Sequence, residues 1–242
     1  MRRTVFLVLF LVMSSGCKKP AAEGARAGSP HAIPANRQSE PMCGEFPTEQ
    51  QMAAFETELR NRILPSFETN FPGPNMRSEI ARLRTKVVSG EVLLDMIRTP
   101  LNGTHALAAG LPLRDGGIMP VIYVSIPQLI CANRLRGEDV MVAELAAYLV
   151  HEFYHAEHHL KVPLPEGPME KLRAVRAGEG EAWLHMCTMA LDELRENGYA
   201  SLFERDTTIA YAYERCRIGR ENPSDPRWQE FLDFAVGDLA KQ

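Results

Sequence analysis

The 242-residue chain sets 27 Lys and Arg against 31 Asp and Glu, a formal net charge of −4. That balance leaves no basic excess for a phosphate backbone and argues against nucleic acid as a partner. With 45% hydrophobic and 24% charged residues, it is a globular composition with a real core, and the length holds one medium domain plus a tail or at most two small ones.

In chain order, Met1-Arg2-Arg3 is a short positive start, residues 4–13 are almost wholly apolar, and Ser14-Ser15-Gly16-Cys17 follows. This is the pattern of a secretory signal over residues 1–16. The apolar run is about half as long as a helix needs to cross a hydrocarbon core of roughly 30 Å. Small residues directly before a cysteine resemble the bacterial lipobox, with Ser14 where that box usually carries Leu. The resemblance makes Cys17 a lipidated N-terminus and implies a membrane anchor in the bacterial cell envelope. Lys18 stands where enteric-type sorting places an Asp to retain lipoproteins at the inner membrane, which points to the outer one. Residues 17–42 then read as a loose tether: Pro20, Pro30, Pro34 and Pro41 lie among Ala, Gly and Ser with no apolar period. With Cys17 acylated, Cys43, Cys131, Cys187 and Cys216 remain. An even number in an exported chain points to two disulfides, with three pairings open.

The folded region is expected over residues 43–242, with an α+β fold. Met52, Phe55, Leu59 and Ile63 recur at three and four within residues 48–64, an amphipathic helix. A shorter helix is expected over 78–88, after Phe71-Pro72-Gly73-Pro74. Residues 92–97 read as a strand, and 105–113 with 118–126 as a hairpin around Arg114-Asp115-Gly116-Gly117. Beyond Gly137 the pattern is helical throughout, over 139–160, 169–197, 202–218 and 227–240. A small antiparallel sheet followed by a run of helices is the expected architecture.

The longest helix contains His151-Glu152-Phe153-Tyr154-His155, an HExxH. Residues four apart share a helix face, with Cβ atoms roughly 5–6 Å apart, so two imidazoles can meet one ion at roughly 2.0–2.1 Å. Glu152, beside the pair, can take a proton from a water activated there. Val142, Leu145, Leu149, Phe153 and Leu160 form the buried stripe, leaving His151 and His155 to face a cleft. His159 lies two turns on, about 12 Å along a straight helix from His151, too far to join the same ion. His158 and His159 therefore read as a solvated helix end.

A second helix carries Gly178-Glu179-Gly180-Glu181-Ala182-Trp183. An HExxH followed by a Glu on a later helix resembles the gluzincin class of zinc peptidases, whose second motif is often Gly-Glu-x-x-Ala-Asp. Gly178, Glu179 and Ala182 match it, and Trp183 stands in place of the Asp. The resemblance covers roughly residues 142–186 and implies a zincin-like fold, a Zn2+ cofactor and Glu179 as third ligand, with Glu181 as the alternative. It also implies an antiparallel edge strand that pairs with extended substrate, for which residues 121–126 are the candidate. His185, one turn beyond Glu181, could orient a ligand. Tyr123, Tyr154, His185 and Tyr211 are all conceivable hydrogen-bond donors to the transition state.

The expected function is zinc-dependent hydrolysis of a peptide bond in a peptide or protein substrate, with Glu152 as general base. The alternative is a non-catalytic envelope lipoprotein that uses the same scaffold for binding or structure; a zinc hydrolase of peptidoglycan stem peptides is a third reading.

Overall fold

Thr48 starts the first helix with a reciprocal cap: its hydroxyl accepts the Gln51 N–H at 3.2 Å, and the Gln51 side-chain oxygen accepts the Thr48 N–H at 2.9 Å. The computed structural model describes residues 45–71, 73–101, 104–204 and 208–237. The signal segment 1–16, the tether 17–42, Cys17 and Cys43 lie outside those residues. Helix α1 (Glu49–Glu58) runs through a π-helical turn (Leu59–Ile63) into α2 (Leu64–Asn70), so the rod continues past the expected stop at 64. The wider turn falls just ahead of Pro65, whose ring would press on the carbonyl four residues back in a regular α-helix.

Helix α3 (Pro74–Val88) also starts earlier than expected. Its cap comes from far along the chain: the Glu193 carboxylate accepts the N–H groups of Asn75 and Met76, each at 2.8 Å. No local pattern could have carried that signal.

Strands β1 (Leu93–Ile97), β2 (Ala106–Pro112) and β3 (Ile118–Ser125) form one sheet in the order β1-β3-β2. The β2–β3 hairpin is antiparallel, with Ala108 opposite Ile122, as its turn predicted: Gly117 N–H donates to the Asp115 carboxylate at 3.0 Å, and Gly116 takes φ 84°. Strand β1 pairs parallel to β3, so the sheet is mixed and not purely antiparallel. Moreover β3 is its central strand, which overturns residues 121–126 as the edge. The β-prone Val121-Ile122-Tyr123-Val124 stretch lies between two neighbours with Val121, Ile122 and Val124 buried, and the free edge on the hairpin side is β2.

Helix α4 (Ile126–Arg136) follows β3 without a loop, and no helix was expected there. Pro127 lies in its first turn, where its missing N–H costs nothing. Gly137, at φ 90°, turns the chain into α5 (Glu138–His158). This helix is buried on almost every side, with Val140, Met141, Leu145, Leu149 and Phe153 in the core; the expected one-sided stripe is incomplete as a description. It packs against α3, α4, β2, β3 and α6 (Pro168–Met186). A second π turn (Cys187–Leu191) extends α6 into α7 (Asp192–Glu196). Beyond them lie α8 (Ser201–Glu204), α9 (Thr208–Glu221) and α10 (Pro226–Val236); the helix expected over 202–218 is helical on both sides of residues 205–207, which lie outside the described ones. The result is α+β, and no helix among the described residues is long and apolar enough to cross a membrane.

Cys187 is bonded to Cys216, joining the second π turn to α9, and Cys131 is disulfide-bonded as well. The Cys187–Cys216 link closes a sequence separation of 29 residues, for which loop-closure entropy predicts about 3–4 kcal/mol. Replacing both cysteines by Ala should lower the unfolding free energy by about that amount in a urea titration; a loss under about 1 kcal/mol would show that the helices hold each other without the link.

Candidate metal centre

Helix α5 places His151 and His155 one turn apart with ring centroids 4.8 Å from each other, and α6 brings Glu179 against them. The two Nε2 atoms are 3.1 Å apart; Glu179 reaches His151 Nε2 at 3.5 Å through Oε2 and His155 Nε2 at 3.3 Å through Oε1. Three donors spaced around a tetrahedral ion at roughly 2.0–2.1 Å would lie roughly 3.3–3.5 Å from one another. Glu179 meets the two rings through different oxygens; with one ligand atom taken from each residue the three lie within 4.8 Å of one another, close enough to gather around a single ion, and among the described residues this is the one such cluster of His, Cys, Asp and Glu.

The electrostatics agree. Burial works against charge on the Glu179 carboxylate, yet hydrogen bonding and charge from His151 and His155 outweigh it and hold the group well below the usual carboxylate range. Burial likewise opposes a charged His155, and the Glu179 carboxylate overcomes it, raising the imidazole's pKa above its ordinary value. An anion held charged between two imidazoles is the arrangement a cation can replace.

Glu181, the alternative ligand, is not part of the triangle. Two residues on from Glu179 it points elsewhere on α6, and its Oε2 meets His159 Nε2 at 3.2 Å. His159 in turn is not a solvated helix end: its Nδ1 lies 3.0 Å from Nδ1 of His155, and burial lowers its pKa. His159 caps α5 in helical conformation with its N–H on the His155 carbonyl, so the two rings, four residues apart, are neighbours on one face. A Cβ on Gly178 would come within 3.2 Å of the His159 ring, so that glycine leaves the room. His158 is exposed, with its ring against Tyr154.

Glu152 is buried beside the triad, and its Oε2 accepts the backbone N–H of Ala108 on β2 at 2.7 Å. Burial raises its pKa, and the charge of Glu179 adds to that, against the opposing pull of His151 and His155. Trp183 packs on His151 with ring centroids 4.7 Å apart, in the place of the Asp that the resemblance would have offered, and His151 Nδ1 is buried without a hydrogen-bond partner. His185 is engaged with Glu79 on α3 at 3.5 Å and stacks near Tyr154. Of the other donors considered, Tyr123 sits opposite Asp95 in the sheet and Tyr211 packs on Phe231 under Arg215.

A further buried polar group escaped the sequence reading. Glu144, two turns before His151, accepts from Arg136 at 2.5 Å and meets His105 Nε2 at 3.1 Å. The available signal was a lone acid within the apolar run 140–150 of α5; a buried carboxylate needs partners.

Compared with known proteins, the chain matches no family model, no curated protein and no solved structure.

Dialysed with Zn2+ and assayed by elemental analysis, the protein should retain one equivalent. Glu179→Ala should retain almost none, because removing one of three protein ligands leaves two, whereas Glu181→Ala should still fill at saturating ion. The opposite order would transfer the ligand role to Glu181.

Proposed function

We propose that the chain is a zinc-dependent metallopeptidase with a zincin-like, gluzincin-type centre, in which His151, His155 and Glu179 hold the ion and Glu152 is the general base. The observation that carries this reading is the cluster of His151, His155 and Glu179 on α5 and α6, one ligand atom of each within 4.8 Å of the others, with the Glu152 carboxylate on the same helix as the histidines. Two imidazoles and one carboxylate suit Zn2+, and three protein ligands leave a position open, as catalytic zinc sites do. When bound, the ion would supply Lewis acidity to a carbonyl and bring the pKa of a water down to roughly 7.

The chain's own groups then have defined tasks. Glu152, with its proton affinity raised by burial, takes a proton from the attacking water and passes it to the leaving amine. The Ala108 N–H fixes which carboxylate oxygen stays with the strand, leaving the other for the proton. In an antiparallel pair a residue's N–H and C=O point the same way, so the Ala108 carbonyl also faces outward from β3. Strand β2, rather than β3, is therefore the edge along which an extended peptide would lie. Trp183 and the apolar sides of α5 and α6 keep bulk water from His151. The proposed address is the bacterial envelope, with Cys17 lipidated and the outer membrane as anchor.

Glu152→Gln keeps the shape and the Ala108 contact but cannot accept the proton. It should retain zinc and lose at least about a hundredfold in hydrolysis of an unstructured protein such as casein, the lower range for a general base. Equal rates in the two forms would remove Glu152 from the chemistry. A zinc-loaded wild-type protein that cleaves nothing in a broad peptide library would move the chain to the non-catalytic reading.

A further inference from the structure

Each imidazole of the triad has a second nitrogen, and the two are treated differently. His151 Nδ1 is buried with no hydrogen-bond partner and its ring is held by Trp183. His155 Nδ1 faces His159 Nδ1 at 3.0 Å, and His159 Nε2 faces Glu181 Oε2 at 3.2 Å. Tyr154 of α5 is a second neighbour of Glu181.

We infer that His159 and Glu181 form a positioning relay that sets the tautomer and the ring orientation of His155 toward the ion. The inference rests on the proposed metal centre and goes beyond it by giving roles to two residues outside the ligand triangle. The direction of the relay follows from proton counting. A neutral imidazole carries one N–H. If His155 Nε2 offers its lone pair to an ion, its proton is on Nδ1 and donates to His159 Nδ1. That leaves the His159 proton on Nε2, where it donates to Glu181. A carboxylate can only accept, so the chain of donors has one sense and ends on a charge. Ligating histidines are commonly held by an acceptor on their other nitrogen; here the acceptor is another histidine one turn along the same helix, with the carboxylate behind it.

The geometry around the relay supports a built feature rather than an accidental meeting of side chains. Gly178 provides the space for the His159 ring, since a Cβ there would approach it to 3.2 Å. Glu179 and Glu181, on the two sides of α6, divide the work: one faces the triangle, the other its outer support. The exposed position of Glu181 leaves it able to stay charged at no large desolvation cost.

Zn2+ affinity measured by competition with a chromophoric chelator tests the relay in the full chain, together with the visible spectrum of the Co2+-substituted protein. His159→Leu should weaken Zn2+ binding by about 10–100-fold and shift the Co2+ bands. His159→Asn, whose side-chain oxygen can occupy the Nδ1 position as an acceptor, should recover most of that affinity. Glu181→Ala should weaken binding by less, on the order of tenfold, and because it is a solvent-facing substitution it keeps the test valid if His159→Leu folds poorly. Binding within twofold of wild type in Glu181→Ala and both His159 variants, with an unchanged Co2+ spectrum, would overturn the relay while leaving the triangle intact. Failure of the wild-type protein itself to bind Zn2+ would overturn the metal centre and the relay with it.

Discussion

The contact between α5 and α6 through Glu179 is the constraint on which the site depends. A carboxylate that bridges a buried and a partly buried imidazole is stable only while both rings face it at hydrogen-bonding distance, and the rings face it only while the two helices stay in register. Slippage of α6 by one residue would turn Glu179 by about 100° and break the triangle. The register is held from behind: the π turn after α6 is tied to α9 by the Cys187–Cys216 disulfide, and Trp183 is wedged between His151 and Phe231 of α10. The far helices, remote from the chemistry, thereby fix its geometry.

Helix α5 carries three buried polar groups along its length, Glu144, His151 and Glu152, and burial of such groups is costly unless each finds a partner. Each draws its partner from a different element. Glu144 is met by Arg136 of α4 and by His105 ahead of β2, Glu152 by the Ala108 backbone of β2, and His151 by Glu179 of α6. Satisfying these groups is thus inseparable from assembling the hairpin and the second helix around α5. The apolar side chains of the same helix supply the bulk of the burial, while its polar ones decide what must lie where.

Much of this organisation was legible in the amino-acid order. The i, i+4 histidines, the Glu between them and the later Glu179 are local patterns on strongly helical segments, and the Asp-Gly-Gly turn announced the hairpin. What escaped depended on distant partners or on neighbours of opposite sign in propensity. The start of α3 is set by Glu193 from the first turn of α7, and the parallel pairing of β1 depends on which side of β3 is free. Helix α4 begins directly on the last residue of a strand, with Pro127 in the turn that a pattern reader takes as a break. His159 was assigned to solvent because distance along a straight helix rules it out as a ligand of the same ion. That reasoning holds for the ion and says nothing about the outer nitrogen of His155, which is where the ring lies.

The unequal support of the two histidines bears on what Trp183 does in place of an acid. An acceptor behind His151 would fix both the plane of its ring and the site of its proton. An indole tilted against the ring at a centroid distance of 4.7 Å can restrict its orientation alone, and the proton of His151 must be placed by what meets Nε2. On that side stand His155 Nε2 and the Glu179 carboxylate. With an ion bound, a His155 proton placed outward on Nδ1 would leave its Nε2 lone pair for the ion; without one, the hydrogen bonds that Glu179 accepts from both rings need a proton on the inner side. The two rings are thus supported differently, His155 by the proposed chain through His159 and His151 by the aromatic wall of Trp183.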